Sequence, residues 1–282
     1  MSQSISSRPR ILSARIVLTL IAVLALWSHP ALAAIGPTST LYITNYGEFS
    51  SGTICGLDLV QGVTINSYPT GNSVDICIAA AGDIRTMGYS GGDSGSRFAL
   101  TGSPLPGGPF TNTLTGSQLH DGTSDGVYNY SVDYPTGSIL RFTNTWSSPS
   151  TLFTVTPATA GWITMNALDG SFWLSQYGLS DLVEHRSASG TLLFSFTSGI
   201  SGSQGLALDP IDGTLWLSQG STLYQFTQTG LPIQSVSYSL SPQWYGMEFD
   251  TTPLLEPEPA SGAIALVGVA MFLRRRRASS RR

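Results

Sequence analysis

Between Gly205 and Gly220 the chain runs GLALDPIDGTLWLSQG: a short apolar run, a polar turn, then a second apolar stretch centred on a tryptophan. Leu206, Ala207 and Leu208 read as a short strand, Asp209, Pro210, Asp212 and Gly213 carry turn chemistry, and Thr214 to Ser218 is rich in residues that suit a pleated surface. The pattern predicts a hairpin. It recurs: Asp212 to Gln219 matches Asp169 to Gln176 at a separation of 43 residues. Related stretches begin at Asp125, at Asp83 and at Thr38. A fixed period of this length signals a repeat architecture.

Each repeat continues alike. After the strand around Trp216 come Thr222 to Phe226, a turn at Thr229 and Gly230, and Pro232 to Val236. The preceding copy has Asp181 to His185, Ser189 and Gly190, and Thr191 to Phe196. The third has Ser138 to Phe142 and Thr151 to Val155. Four short antiparallel strands per unit with Gly-rich turns, and no helical periodicity of useful length, predict an all-β fold: a β-propeller of five four-stranded blades. A sixth blade would need Gly91 to Gly126, which is poorly patterned, to hide irregular strands. The array begins on a second strand, Leu41 to Thr44, and ends on Trp244 to Asp250, which is patterned like a first strand. Pairing of these terminal strands would close the ring and protect its edges.

At Asp169 to Gln176 and Gly205 to Gln219 the chain resembles NHL-type and related exported β-propellers, in which a G-x-A-x-D-P strand leads into a D-G-x-φ-W/Y-φ strand. The resemblance spans about Thr38 to Asp250 and implies a fold without a chemistry.

The two ends read differently. Arg8, Arg10 and Arg15 precede an apolar run from Ile16 to Trp27, followed by Ala31-Leu32-Ala33. The run is short for a membrane span, which needs roughly 20 residues, and the A-x-A pattern marks a secretory signal peptide over residues 1–33, cut between Ala33 and Ala34. The propeller is then expected over 34–250. Across the body and its linker, four arginines (Arg85, Arg97, Arg141, Arg186) face fifteen carboxylates, a balance of −11, and the chain has no lysine. Without a basic patch, neither nucleic acid nor an anionic membrane surface is expected as a partner. Export permits a disulfide between Cys55 and Cys77; the other reading makes both of them small buried hydrophobes.

Composition shifts again at Thr251, opening a tail over 251–282. Pro257, Glu258 and Pro259 precede an apolar run from Ala263 to Leu273 and then Arg274, Arg275, Arg276 and Arg277. The three parts, in this order, resemble the PEP-CTERM sorting signal of Gram-negative bacteria that make exopolysaccharide. The resemblance implies processing by an exosortase, besides signal peptidase, and delivery to the cell surface or outside the cell through transient inner-membrane association. On physical grounds Ser261 to Leu273 spans only about 20 Å as a helix against roughly 30 Å of hydrocarbon. The arginines favour the cytoplasmic side, so the tail can pause export without making a strong anchor.

Candidate chemistry is thin. His120 and His185, the only histidines outside the signal peptide, fall in unequal blade positions and read as packed or surface residues. No zinc pattern and no G-x-S-x-G elbow occurs. Asp75, Asn166, Asp209 and Glu248 lie on or beside first strands and could line a channel metal site. Asp209, with Asp169 and Asp250, reads better as a turn cap. No cofactor is required; the one cation the residues could take is calcium, at Asp121 to Gly126. Trp173, Trp216, Tyr42 and Tyr128 share a strand position and are expected to pack between blades. Tyr130, Tyr134, Trp146, Trp162, Trp244 and Tyr245 are less regular and could include a platform for sugar rings. These features point to an exported binding or structural module with a polysaccharide or surface-protein partner; the alternative is a metal-dependent hydrolase or lyase at the channel.

Overall fold

The computed structural model describes residues 40–45, 53–59, 63–69, 75–155, 160–176, 178, 181–238 and 244–252. Alternating short strands and tight turns give 21 strands. In the order of the chain they are β1 (Thr40–Asn45), β2 (Thr53–Asp58), β3 (Val63–Pro69), β4 (Asp75–Ala80), β5 (Asp83–Gly88), β6 (Ser94–Gly95), β7 (Arg97–Ala99) and β8 (Phe110–Thr111). Then come β9 (Leu119–Ser124), β10 (Tyr128–Asp133), β11 (Ser138–Thr143), β12 (Ser150–Thr154), β13 (Ala160–Asn166), β14 (Ser171–Gln176), β15 (Leu182–Arg186) and β16 (Leu192–Thr197). The last five are β17 (Leu206–Leu208), β18 (Leu215–Gln219), β19 (Thr222–Phe226), β20 (Pro232–Ser237) and β21 (Trp244–Phe249).

These strands make five blades. Three are simple four-stranded meanders, β9 to β12, β13 to β16 and β17 to β20. The first blade is composite, in the order β21-β1-β2-β3. Leu41 pairs with Phe249 and Ile43 with Met247, so the last strand of the chain becomes the innermost strand of the first blade. The expected closure is the one observed. The second blade departs from the four-stranded expectation. Its sheet is β4-β5-β7, and β6 pairs with β8 in a separate two-stranded ribbon. The poorly patterned stretch from Gly91 to Asp121 therefore holds this irregular outer half and the start of the third blade, and no sixth blade.

The core lies in the gaps between blades. Five buried apolar clusters occupy the five gaps. Each contains one large side chain from the second strand of a blade, aimed at the next blade: Tyr42, Met87, Tyr130, Trp173 and Trp216. Trp173 and Trp216 pack as expected. Tyr128 does not; it is 37% exposed, with Arg141 4.7 Å above its ring. The turn before β10 holds one residue more between its aspartate and the inward aromatic than the turn before β14. Tyr128 and Tyr130 are two apart and share a face of β10, but Tyr128 opens the strand at its exposed end, so Tyr130 takes the packed position and stacks edge-on to Phe172.

Outer hairpins interlock as well. Gly190 and Gly230 adopt left-handed φ of 86° and 83°. An added Cβ at either would lie 2.5 Å from the ring of Phe153 or Phe196 on the neighbouring blade. Glycine is needed at both for the turn and for the contact.

Candidate functional site

The innermost strands β4, β9, β13, β17 and β21 run side by side around the axis in one direction, which places residues of different blades at common depths. Asp121 on β9 marks the middle level. It adopts φ 46°, uncommon for a non-glycine residue but tolerated by aspartate, and its side chain is fully buried. One carboxylate oxygen accepts the N–H groups of Gly122 and Met247 at 2.9 and 3.0 Å. The other accepts those of Ile163 and Leu206, each at 3.3 Å. A single side chain thus binds backbone from four blades.

Below it sits Glu248, also fully buried. The Thr164 hydroxyl lies 3.4 Å from both of its carboxyl oxygens and accepts the Leu208 N–H at 3.1 Å. Burial pushes the carboxyls of Asp121 and Glu248 well above the usual range. At Asp121 four backbone N–H groups pull back in part. At Glu248 the neighbouring Asp121 pushes further, against the Thr123 and Thr164 hydroxyls and the Phe249 N–H. At the bottom level Thr251 ties the chain to the carbonyls of Ala80 and Ser124, at 3.1 and 3.3 Å. Asp250 accepts the N–H of Gly82 at 2.8 Å.

At the opposite end every blade sends a group to one aromatic cluster. His120 stacks on Tyr134 at 4.9 Å and on Trp162 at 5.1 Å, with Tyr89 5.4 Å away. Tyr245 lies 5.8 Å from Trp162, whose indole N–H donates to the Ser203 carbonyl. Tyr89, Tyr134 and Tyr245 are half-buried, whereas His120 and Trp162 are enclosed. Burial lowers the imidazole pKa of His120 to about 4, which leaves it neutral near pH 7. Stacked rings from four blades, three of the rings half-buried tyrosines, can hold a flat or amphipathic ligand by area and by CH–ring contact.

The structure gathers Tyr134, Trp162 and Tyr245 from the irregular aromatics and adds Tyr89 and His120, which the repeat pattern does not single out. Trp146 belongs elsewhere: it is 2% exposed and packs edge-on against Phe142 beneath the third blade, so it is not a surface platform. The side chain of Trp244 lies outside the described residues. His185 stacks flat on Trp173 at 4.2 Å, with its Nε2 2.8 Å from the Ser171 hydroxyl.

The proposed channel ligands do not converge. Asn166 and Asp209 accept the N–H two residues on, from Leu168 and Ile211. Asp250 does the same with Thr252. Asp209 is a turn residue as expected, but its equivalents are Asn166 and Asp250. Asp169 instead matches Asp212, the two accepting from Ser171 and Thr214. The side chain of Asp75 lies outside the described residues. Asp121 to Gly126 is not a loop: it is the end of β9 with its turn. Asp121 points to the axis, and Asp125 accepts Val127, Tyr128 and the Tyr130 hydroxyl. Among the described residues no three His, Cys, Asp or Glu side chains form a group that could hold a metal.

Cys77 is buried with its sulfur 3.5 Å from the Ser131 hydroxyl, whereas the side chain of Cys55 lies outside the described residues. The leader with Ala31, Ala33 and Ala34, and the tail with Pro257, Glu258, Pro259 and Arg274 to Arg277, also lie outside them.

No protein-family model matches the sequence, and no curated protein matches it significantly. Solved structures do match in fold. One is a chain of a nidogen/laminin complex, with TM-score 0.52 and 12% identity over 76% of this chain and 99% of that one. Another is a protein of unknown function from Bacteroides thetaiotaomicron, with TM-score 0.52 and 12% identity over 77% of this chain and 63% of that one. A streptogramin B lyase aligns at TM-score 0.43 and 15% identity over 73% of this chain and 71% of that one. At such identities the likeness is one of fold: the chain is similar to β-propellers.

Proposed function

We propose that the protein is an exported binding or structural module of the cell envelope, brought there by its leader and by exosortase recognition of its tail, and that it engages exopolysaccharide at the aromatic end of its axis. The observation that carries this reading is the convergence of Tyr89, His120, Tyr134, Trp162 and Tyr245 from four blades, with Ser203 from the fifth. Half-buried tyrosines over a neutral imidazole offer ring faces without charge, which suits the apolar faces of sugars. The acidic body favours neutral glycans over uronate-rich ones, because like charges repel.

A hydrolase or lyase at the channel has less to work with. Asp121 spends both oxygens on backbone N–H groups, and Glu248 sits below it with Thr164 against both of its own.

Two measurements test the reading. Intact mass after expression with and without an exosortase should show loss of the segment after Pro259 only when that enzyme is present; an uncut tail in both hosts would remove the sorting claim. Titration of neutral oligosaccharides from the producing cell's matrix should give saturable binding that Tyr134→Ala with Tyr245→Ala weakens about tenfold or more, the loss expected for two stacking rings. Unchanged binding in that variant would place the site elsewhere.

A further inference from the structure

Several of the large exposed apolar side chains of the described residues stand at one end of the ring. Because the inner strands share one direction, the turns that follow them project from the same end, and three of these turns carry an apolar residue at the tip. Val127, Leu168 and Ile211 occupy these tips on three consecutive blades and are 64%, 71% and 47% exposed. Leu231, 64% exposed, stands in the outer turn beside the third of them, where Gln228 donates to the Gly213 carbonyl at 2.9 Å. Tyr128 and Leu192 start strands that leave this end, whereas Leu193, Phe194 and Ile233 lie along the outermost strands β16 and β20. Solvated turns normally carry polar tips, and apolar tips repeated on consecutive blades mark a contact surface.

The same end is where the chain leaves the fold. Thr251 and Thr252 follow β21 and are pinned against Ala80, Gly82 and Ser124. Only residues 253–262 separate Thr252 from the apolar run that starts at Ala263. Fully extended, they reach at most about 35 Å. Any surface that the apolar run enters therefore lies within about 35 Å of Thr252, at the end that carries the apolar tips.

We infer that this end of the propeller seats on the lipid surface that the tail enters, with Val127, Leu168, Ile211 and Leu231 dipping into the headgroup boundary and the aromatic mouth held outward at the far end of the axis. The inference rests on the tail being a membrane segment. The lipid is of the zwitterionic kind: the turns bear Asp125, Asp169, Asp212 and Asp250, whereas Arg85, Arg97 and Arg186 are paired with carboxylates and Arg141 lies over the Tyr128 ring. These carboxylates turn back onto their own backbone N–H groups, which leaves the apolar tips foremost. The arrangement would present the sugar-binding mouth to the matrix while the tail awaits cutting.

The test uses the full chain with phosphatidylcholine–phosphatidylethanolamine vesicles and an environment-sensitive fluorophore on one introduced cysteine, at Leu168→Cys, Ile211→Cys or Ser201→Cys. Ser201 is exposed near the aromatic end, and the native Cys77 is buried. Peptide mass confirms the labelled position. The expected result is a blue shift and several-fold stronger quenching by spin-labelled lipid at 168 and 211 than at 201. With Val127→Ser and Leu231→Ser added, that quenching should fall while the chain stays bound. Bound protein whose three probes remain equally aqueous overturns the docking face and leaves the tail reading intact. Stronger quenching at 201 overturns the orientation. A blue shift at 168 without vesicles replaces lipid with a second copy of the chain. Failure of the full chain to bind vesicles overturns both the face and the tail reading.

Discussion

Asp121 shows what one side chain can do at the centre of a ring. Its left-handed backbone is costly for a residue with a Cβ, by about 1 kcal/mol or more, and that cost is offset by four buried N–H groups that would otherwise lack acceptors. Asparagine keeps the shape but turns one acceptor oxygen into a donor facing two N–H groups. Asp121→Asn should therefore lose about 3 kcal/mol or more in urea unfolding, and a loss under 1 kcal/mol would mean the axis can be satisfied otherwise. Glu248 makes a second prediction. A buried acid whose pKa is raised by folding holds a proton that the unfolded chain releases, so its stability term is intact below the ordinary glutamate range and declines as pH rises above it. Glu248→Gln should flatten that decline above the ordinary glutamate range, leaving the part that belongs to Asp121, whose pKa is raised in the same direction. His120 has the opposite sign. Its folded pKa of about 4 lies below the ordinary imidazole value of about 6.5, so its contribution is full above that value and is lost as pH falls toward 4. That loss amounts to roughly 2–4 kcal/mol, and His120→Phe should abolish it in an acid titration of stability.

Among the elements, the second strand of each blade does the packing. Tyr42, Met87, Tyr130, Trp173 and Trp216 fill successive gaps, so Trp216→Ala should cost about 3–5 kcal/mol. Tyr128→Ala, at the exposed start of β10, should stay within about 0.5 kcal/mol. Equal losses in thermal unfolding would refute the packing role given to the second strands. At Gly230 a methyl group would meet both a left-handed φ and the ring of Phe196, so Gly230→Ala should destabilise by about 2–4 kcal/mol. Most of this was legible from the period: strand type, turn chemistry and Trp positions all follow from the repeat. The choice of Tyr130 over Tyr128 was not, because the two share a face of β10 and the repeat does not say which of them reaches into the gap between blades. Nor was the ribbon β6-β8, whose two-residue strands leave no alternation to read.

For the whole molecule, closure by β21 ties the end of the chain to both the core and the axis. Met247 and Phe249 complete the cluster between the fifth and first blades, and the Met247 N–H completes the acceptor set of Asp121. A chain ending before Trp244 should lose cooperative unfolding altogether, seen as loss of the near-ultraviolet dichroism of its buried tryptophans; a retained sharp transition would show that the other four blades suffice. The same closure places the tail and the aromatic mouth at opposite ends, since one strand connects them.

Local pattern alone determined most of the strands and turns, the blade count and the closing strand, because each depends on residues near one another in sequence or on a period that repeats. Only the tertiary structure decided which residues meet at the axis. His120, Tyr134, Trp162 and Tyr245 come from three different blades, and Asp121 reaches Met247 across more than half the ring's sequence. Their proximity depends on the depth of each inner strand along the axis. That depth is fixed by packing between blades and by backbone N–H groups seeking acceptors, and neither leaves a mark in the order of residues along one strand.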